Sequence, residues 1–490
     1  MSRKIVVIGA GFGGMSAAAY LARAGHDVVV VEKNAQPGGR AFTIQQDGFR
    51  FELGPSWYMM PDVFDEFFAD FGKQVADYYR LQPLSPSYRV FDDAADPLDI
   101  ADAEATVAVF ERIDPRAGDG LKRLLRKTGR EYATVRGGIL TSDWLRFRQA
   151  LRPEVLRFLL NPEMIRSYDA RVRKYIPSER LQHVLEFMTV FMGGSPRNIP
   201  GMYTLLAHVD MGIGIYYPMG GFAAVARAFE QLSEEQGVQY RYGSTVCQVL
   251  VSGGRVRGVL LQDGSRIDCD VVVANADYQH VQTELLPPEA QDIPPGKWPK
   301  KVLSPSGLLI SLGVSGRLPE LLHHNLFFDA DWDAHFRSVF STRQWSNDPL
   351  FYMCAPSKTD PDVAPPDHEN IFILAPQAAG VQPDELAVNR TVDAIMERVE
   401  RRTGARLADR IAVRDIRTQE YMHDVFNAYQ GNAFGLAHTL RQSALFRPRL
   451  KARRAGGLYF VGQYTNPGTG VPMVVLSGKT VANTVEHYER

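Results

Sequence analysis

Cysteine is scarce in this chain: Cys247, Cys269 and Cys354 are the only three in 490 residues. They lie far apart and match no disulfide or metal-ligand spacing, so a reducing compartment is expected. No sign of charge dominates. Fifty-five Lys and Arg stand against 56 Asp and Glu, for a net charge of −1, which gives no global pull toward nucleic acid or anionic lipid. Long apolar runs are missing too. Residues 5–22 carry no charge and approach the length of a membrane span, but they contain four glycines and lead into a strand of soluble character. The eleven histidines include no H-x-x-x-H pair, and no G-x-S-x-G occurs, which removes zinc-protease and serine-hydrolase chemistry. No repeat or low-complexity tract is present. No signal peptide is expected, because a glycine-rich motif begins at once. What remains is a chain with 45% apolar residues, long enough for two or three domains.

What is there starts in the first forty residues. Residues 4–8 read as a buried strand. Gly9, Gly11 and Gly14 give G-x-G-x-x-G, followed by an alanine-rich helix over 15–24 that Gly25 ends as a left-handed cap. A β-branched strand at 27–31 follows, with Glu32 at its carboxyl end. This is the dinucleotide fingerprint in its required strand–helix–strand setting. Gly9 permits the tight turn, Gly11 lets backbone approach a pyrophosphate, and Gly14 lets helix and strand pack closely. The helix N-terminus offers unpaired N–H groups to the anion, and Glu32 accepts from a ribose hydroxyl. Pro37-Gly38-Gly39-Arg40 comes next. A Gly-Gly-Arg so close to the acid resembles the two-dinucleotide-binding-domain flavoproteins, in which the arginine lies along the FAD pyrophosphate. FAD is the expected cofactor.

Further along, residues 48–56 read as a strand and a Gly-Pro turn. Residues 62–71 place Val63, Phe64, Phe67, Phe68 and Phe71 on one helical face, a core stripe. Residues 105–208 are mainly helical. Within them, 144–175 carry eight Arg and Lys against three Asp and Glu among many apolar residues, a composition suited to a membrane interface or to a helical subdomain with solvated arginines. A helix over 222–236, strands within 238–261 and a returning strand at 271–277 follow. Residues 278–430 alternate strands (308–312, 371–374) with helices (385–402). At the end, a strand at 458–462 and a Gly/Pro loop containing Gly468 and Gly470 lead into another helix N-terminus.

Over essentially its full length the sequence resembles the bacterial phytoene desaturase family of carotenoid-forming flavoenzymes. The matching stretches are VIGAGFGG (7–14), EKNAQPGGRA (32–41), FELGPS (51–56), YTLLAHV (203–209), YYPMGG (216–221), VVVANAD (271–277), FNAYQGNAFG (426–435) and LYFVGQYTNPGTGVP (458–472). The resemblance implies an α/β fold with a glutathione-reductase-like Rossmann FAD-binding domain, discontinuous in sequence, a mixed α+β substrate domain and a helical, membrane-contacting subdomain. The FAD domain is expected at 1–82, 210–278 and 431–490, the helical membrane-contact region at 83–209 and the substrate domain at 279–430. Besides the residues above, Phe12, Gly13, Lys33, Gly39, Gly54, Pro55 and Gly462 fall in the cofactor motifs. The resemblance also implies that Val246 holds the adenine through its backbone and that Val471 and Pro472 flank the flavin. Glu52 stands where the family often has Asp, and Gln149 where some relatives carry an acid, beside Arg152.

The activity so implied is desaturation of phytoene or a related polyene, a hydride passing from an allylic carbon to flavin N5. Such a hydrocarbon offers nothing polar to grip, so binding rests on burial at roughly 25 cal/mol per Å², and a long apolar tunnel ending at the flavin is expected. The flavin carries the difficult chemistry, so no catalytic triad is needed; Arg152, His208 and Asp210 are the candidate catalytic groups, and no metal is expected. The partners implied are a polyene substrate, oxygen or a quinone as electron acceptor, and the inner face of the cell membrane from the cytoplasmic side, with no nucleic acid. The competing readings are a redox-neutral carotenoid isomerase, a desaturase of a late-pathway or C30 carotenoid, an amine oxidase, and a polyene carrier without turnover.

Overall fold

The computed structural model describes residues 2–94, 96–140, 153, 161–404 and 406–489. Its organising layer is a five-stranded sheet with β1 (Lys4–Ile8) at the centre. β1 pairs in parallel with β2 (Asp27–Val31) on one side and with Val271–Ala274 on the other. Gln239–Arg241 and Leu458–Phe460 complete the edges. Four separate stretches of sequence therefore meet in one sheet. The apolar runs of the inner strands reflect burial on both faces.

Between β1 and β2 runs α1 (Phe12–Arg23), ten of whose twelve residues are buried. It begins three residues before the alanine-rich stretch, because Phe12, Gly13 and Gly14 already form its first turn. The C-terminal helix Val471–Tyr488 packs along it. Gly478 makes that approach possible, since a Cβ there would lie 2.5 Å from Ser16 Oγ. The aromatic stripe behaves as core: Val63, Phe64, Phe67 and Phe68 of the helix Pro61–Ala69 are all buried against this unit. A three-stranded antiparallel sheet (Val246–Ser252, Arg255–Leu261, Arg266–Asp268) lies beside it.

The second large layer is a seven-stranded sheet. Its order is Ile411–Arg417, Ser306–Ser315, His368–Gln377, Phe351–Cys354, His324–Phe327, Tyr88–Phe91 and Leu98–Ile100. The 83–209 segment thus gives two strands to this sheet before it turns helical. Helices Ala103–Ile113, Pro115–Thr134 and Tyr168–Tyr175 follow and enclose their own core around Phe110, Leu121, Tyr168 and Leu185.

Arg152 and Gln149 lie outside the described residues, as do residues 144–152 and 154–160 of the basic stretch at 144–175. In the described part of that stretch, three basic side chains face acids rather than open solvent. Arg171 is buried and donates to both Glu131 oxygens at 2.7 and 2.8 Å. Arg173 pairs with Asp169 at 2.6 Å, and Lys174 pairs with Glu163. No described helix is long and apolar enough to cross a membrane.

Candidate active site

One cavity of about 500 Å³ runs between the two large layers. Its dinucleotide end is built by β1, α1 and β2. Gly9 takes φ +100°, a backbone that only glycine holds easily. A Cβ on Gly14 would meet the Gly9 carbonyl oxygen at 2.3 Å, so Gly14 acts through helix–strand contact and does not line the cavity. Gly9, Gly11, Phe12 and Gly13 do line it. The N-cap of α1 is Gly11, and no side chain caps the helix. Its first N–H groups are thus left for a ligand.

Glu32 sits buried at the end of β2. Its Oε2 accepts from Ala10 N at 2.8 Å and its Oε1 from Asn34 N at 2.8 Å. Oε1 accepts a second bond from Asn34 Nδ2 at 2.9 Å, so the carboxylate is fixed in place while Oε2 keeps a lone pair for a ribose hydroxyl. Lys33, Ser244, Thr245 and Val246 close this end. Lys33 Nζ donates to the Asp424 carbonyl at 2.8 Å, and burial pulls its ammonium below the usual range.

The loop after β2 brings Gly39, Arg40, Gly54 and Pro55 onto the wall. Gly54 is required there, since a Cβ would lie 2.0 Å from the Arg40 carbonyl oxygen. The Arg40 guanidinium donates to the carbonyl of Asn432 at 2.6 Å and to that of Ala433, and stands 3.7 Å from Asp277. Burial lowers its pKa, and Asp277 opposes that.

From the far end of the chain come Gly462, Gly470, Val471 and Pro472. Gly470 is the N-cap of the helix Val471–Tyr488, again without a side-chain cap. Gly468 stays off the wall; it is glycine because a Cβ would strike the His438 ring at 2.1 Å. Two uncapped helix N-termini, a fixed acid and a half-buried arginine on one elongated cavity fit a dinucleotide whose diphosphate needs N–H donors and whose ribose needs an acceptor.

Beyond the dinucleotide end the wall turns apolar. Met59, Met60, Val135, Leu140, Leu206 and Val209 form one side, and Leu309, Phe372, Leu374, Met422 and Phe426 the other. The candidate bases His208 and Asp210 do not reach this wall. The helical turn His208–Ile213 sends Val209 inward and its two neighbours aside. His208 packs against Tyr132 with ring centroids 5.6 Å apart, and burial lowers its pKa. Asp210 is buried, its Oδ2 accepts from Tyr88 Oη at 2.8 Å, and burial pushes its carboxyl up to about 7.

Several wall residues were not singled out from sequence. Asn275 points its side-chain amide at the glycine turn, and Asp277 accepts from Tyr464 Oη at 2.8 Å. Both stand just past the strand Val271–Ala274, where open α/β sheets bind ligands; that position was the available signal. Tyr203 and His438 meet from distant segments at 2.7 Å, and no local pattern announces such a pair.

The sheet order and this set of donors define a flavin-dinucleotide oxidoreductase. The chain belongs to the flavin containing amine oxidoreductase family, whose family model matches residues 12–485, and within it to the carotenoid desaturases; its cofactor is FAD. A Haloarcula japonica protein named carotenoid 3,4-desaturase is 40% identical, over 98% of this chain and 97% of its own. A Myxococcus xanthus zeta-carotene-forming phytoene desaturase is 35% identical, over 98% and 93%. Among solved structures, an oxidoreductase from Methanosarcina mazei matches with a TM-score of 0.64 at 19% identity, over 98% of this chain and 100% of its own. That last likeness is one of fold.

Proposed function

We propose that this protein desaturates a carotenoid polyene, taking a hydride and a proton from neighbouring carbons, the two hydrogens that a bound FAD would take up on its reduction. The observation that carries the reading is the pairing of the dinucleotide cradle with an apolar wall whose described residues offer no free charge. Glu32 and Asp277 are the carboxylates on the described wall. Glu32 is bound to backbone N–H groups, and Asp277 holds Tyr464 and faces Arg40. An amine substrate needs an available carboxylate or an aromatic cage for its cation, whereas a hydrocarbon needs only burial.

Within this reading, Gly9, Gly11, Phe12 and Gly13 receive the diphosphate, with Arg40 supplying positive charge. Glu32 holds the ribose, Val246 the adenine, and Val471 and Pro472 flank the ring. The bound flavin supplies the two-electron chemistry. The chain's own part is to align the polyene and exclude water. Both imidazoles on the described wall are engaged: His280 Nε2 faces Asn427 at 3.2 Å, and His438 is bonded through both nitrogens.

A polyene substrate is dissolved in lipid, so the protein takes it from a bilayer surface without crossing the membrane. Reoxidation falls to oxygen or a quinone, which an anaerobic assay with added quinone separates. The test of function is pigment analysis of cells that make phytoene and express this chain. New polyenes with longer chromophores, together with a flavin spectrum, are expected. Bound flavin with phytoene and later carotenoids all untouched would sink the proposal.

A further inference from the structure

The charge of this near-neutral chain is unevenly spread. Residues 425–485 contain no Asp or Glu, and neither do residues 293–319. The two stretches are joined in space. Val302 N donates to Gln442 Oε1 at 3.1 Å, Gln442 Nε2 returns a bond to the Val302 carbonyl at 2.8 Å, and Ala437 N donates to the same carbonyl at 3.0 Å. Around this junction four apolar side chains lie open to solvent: Val302 at 37%, Leu440 at 44%, Leu445 at 40% and Phe446 at 66%. They account for four of the seven large hydrophobic residues exposed among those described, so this is a cluster and not the usual scatter. Lys297, Lys300, Arg441 and Arg449 are exposed on the same two stretches. None of the four makes an ion pair with a described residue. The nearby carboxylate of Asp292 is engaged by the backbone N–H groups of Arg453 and Arg454.

The turn that displays Leu445 and Phe446 is held on purpose. Ala444 adopts φ +50°, a left-handed conformation that a non-glycine residue avoids unless its surroundings impose it. The imposing contact is Asn466 Nδ2, which donates to the Ala444 carbonyl at 3.0 Å. Ala444 and Asn466 both line the cavity. One short turn therefore reaches the cavity wall at Ala444 and exposes the apolar side chains of Leu445 and Phe446 to solvent.

We propose that the surface formed by Val302, Leu440, Leu445 and Phe446, with its basic rim, docks on a bilayer containing anionic lipid and sets the cavity wall against the source of the polyene. The placement rests on the bilayer reading given above and deepens it. Apolar side chains enter the acyl boundary while lysine and arginine meet lipid phosphates. A second copy of this chain fits the surface poorly, because a two-fold contact would bring the same unpaired positive rim against itself.

The test is co-sedimentation of the flavin-loaded protein with phosphatidylcholine vesicles, with and without about one third phosphatidylglycerol. The wild type is expected to pellet with anionic vesicles and to be released by salt. Leu445→Ser with Phe446→Ser is expected to weaken that partition by about tenfold, and Arg441→Glu to weaken it further. Leu386→Ser, at an equally exposed apolar position elsewhere, should leave it unchanged. Retained flavin absorbance verifies that each variant is folded. A double variant that pellets like wild type overturns this surface while leaving bilayer association standing. Wild-type protein that ignores both vesicles overturns both, while pigment formation on detergent-dispersed substrate still tests the desaturase. Variants that only turn a dimer into a monomer would reassign the surface to self-association.

Discussion

The Nε2 atom of His438 accepts the backbone N–H of Thr469 at 3.2 Å. This contact ties the Gly/Pro loop before the C-terminal helix to a residue more than thirty positions upstream. It also fixes the tautomer. With Nε2 accepting, the ring proton is on Nδ1 and is donated to Tyr203 Oη at 2.7 Å, and Tyr203 in turn donates to Ser443 Oγ at 3.0 Å. Burial first, and the neighbouring Arg447 second, hold the imidazole well below its usual pKa, so the ring is neutral throughout the working range. His438 is thus a positioning residue for the loop carrying Gly470, Val471 and Pro472. Replacing it with alanine strands two buried polar partners, which costs about 1–3 kcal/mol. The His438→Ala variant should melt lower and release FAD more readily, with part of both losses recovered in His438→Gln. Thermal melts of apo- and holoprotein, with flavin fluorescence for affinity, check this; equal FAD affinity in all three would contradict it.

Glycines in the cofactor loops are not equivalent. A Cβ at Gly14 meets backbone oxygen at 2.3 Å, whereas one at Gly11 meets the side-chain amide of Asn275 at 2.6 Å. Backbone cannot yield without moving β1 against α1, but an amide can rotate away. Gly14→Ala is therefore expected to express poorly or to melt several degrees lower. Gly11→Ala should fold near normally and lose FAD affinity, because the methyl group stands over the diphosphate site. Soluble yield and flavin content of the two variants, measured side by side, decide the point.

How far these features could be read from sequence follows from how local they are. The strand–glycine–helix–strand–acid unit is continuous, and β1, α1, β2 and Glu32 lie where periodicity and glycine spacing put them. The helix Glu385–Thr403 and the strand Ser306–Ser315 were visible for the same reason. That the strands at 88–91 and 98–100 join a sheet built mainly from residues beyond 300 was not legible, because strand partners distant in sequence leave no local pattern. The bases failed similarly. His208 sits in the matched stretch 203–209 and Asp210 just after it, but a wide helical turn keeps both off the cavity wall, and neighbouring letters do not reveal that rotation.

Far from the cavity, Asp329 is the hub of a buried ion cluster. Arg398 donates to its Oδ1 from Nε at 3.0 Å and from Nη2 at 2.5 Å, and Arg402 Nε reaches Oδ2 at 3.1 Å. These bonds hold the carboxyl below its usual pKa against the opposing effect of burial. Asp329→Ala leaves the nearly buried Arg398 without its main counter-charge, and the expected loss is about 3–5 kcal/mol. Because the cluster braces the helix Glu385–Thr403 and does not line the cavity, FAD affinity should change little while the unfolding midpoint falls. A variant with wild-type stability would show the cluster to be dispensable.

Asp210 allows a pH experiment with a definite sign. Burial raises its folded pKa to about 7, against the ordinary value of 3.8. Between those values the folded protein holds a proton that the unfolded chain has released. By linkage, this stabilisation is complete below the unfolded pKa and is lost as pH rises through about 7. Glu52, pushed to about 7, and Glu186, pushed to about 8, act in the same direction, so one substitution removes only part of the slope. Asn at 210 still accepts from Tyr88 and places an N–H where the protonated carboxyl has its O–H, with no proton to release. Asp210→Asn should therefore gain stability over wild type at pH 8 and match it near pH 4, as read from unfolding midpoints across that range. Turnover should persist, because Asp210 does not line the cavity. Parallel stability curves would refute the buried, protonated carboxyl, and loss of turnover in a folded, FAD-loaded variant would restore Asp210 as the proton acceptor.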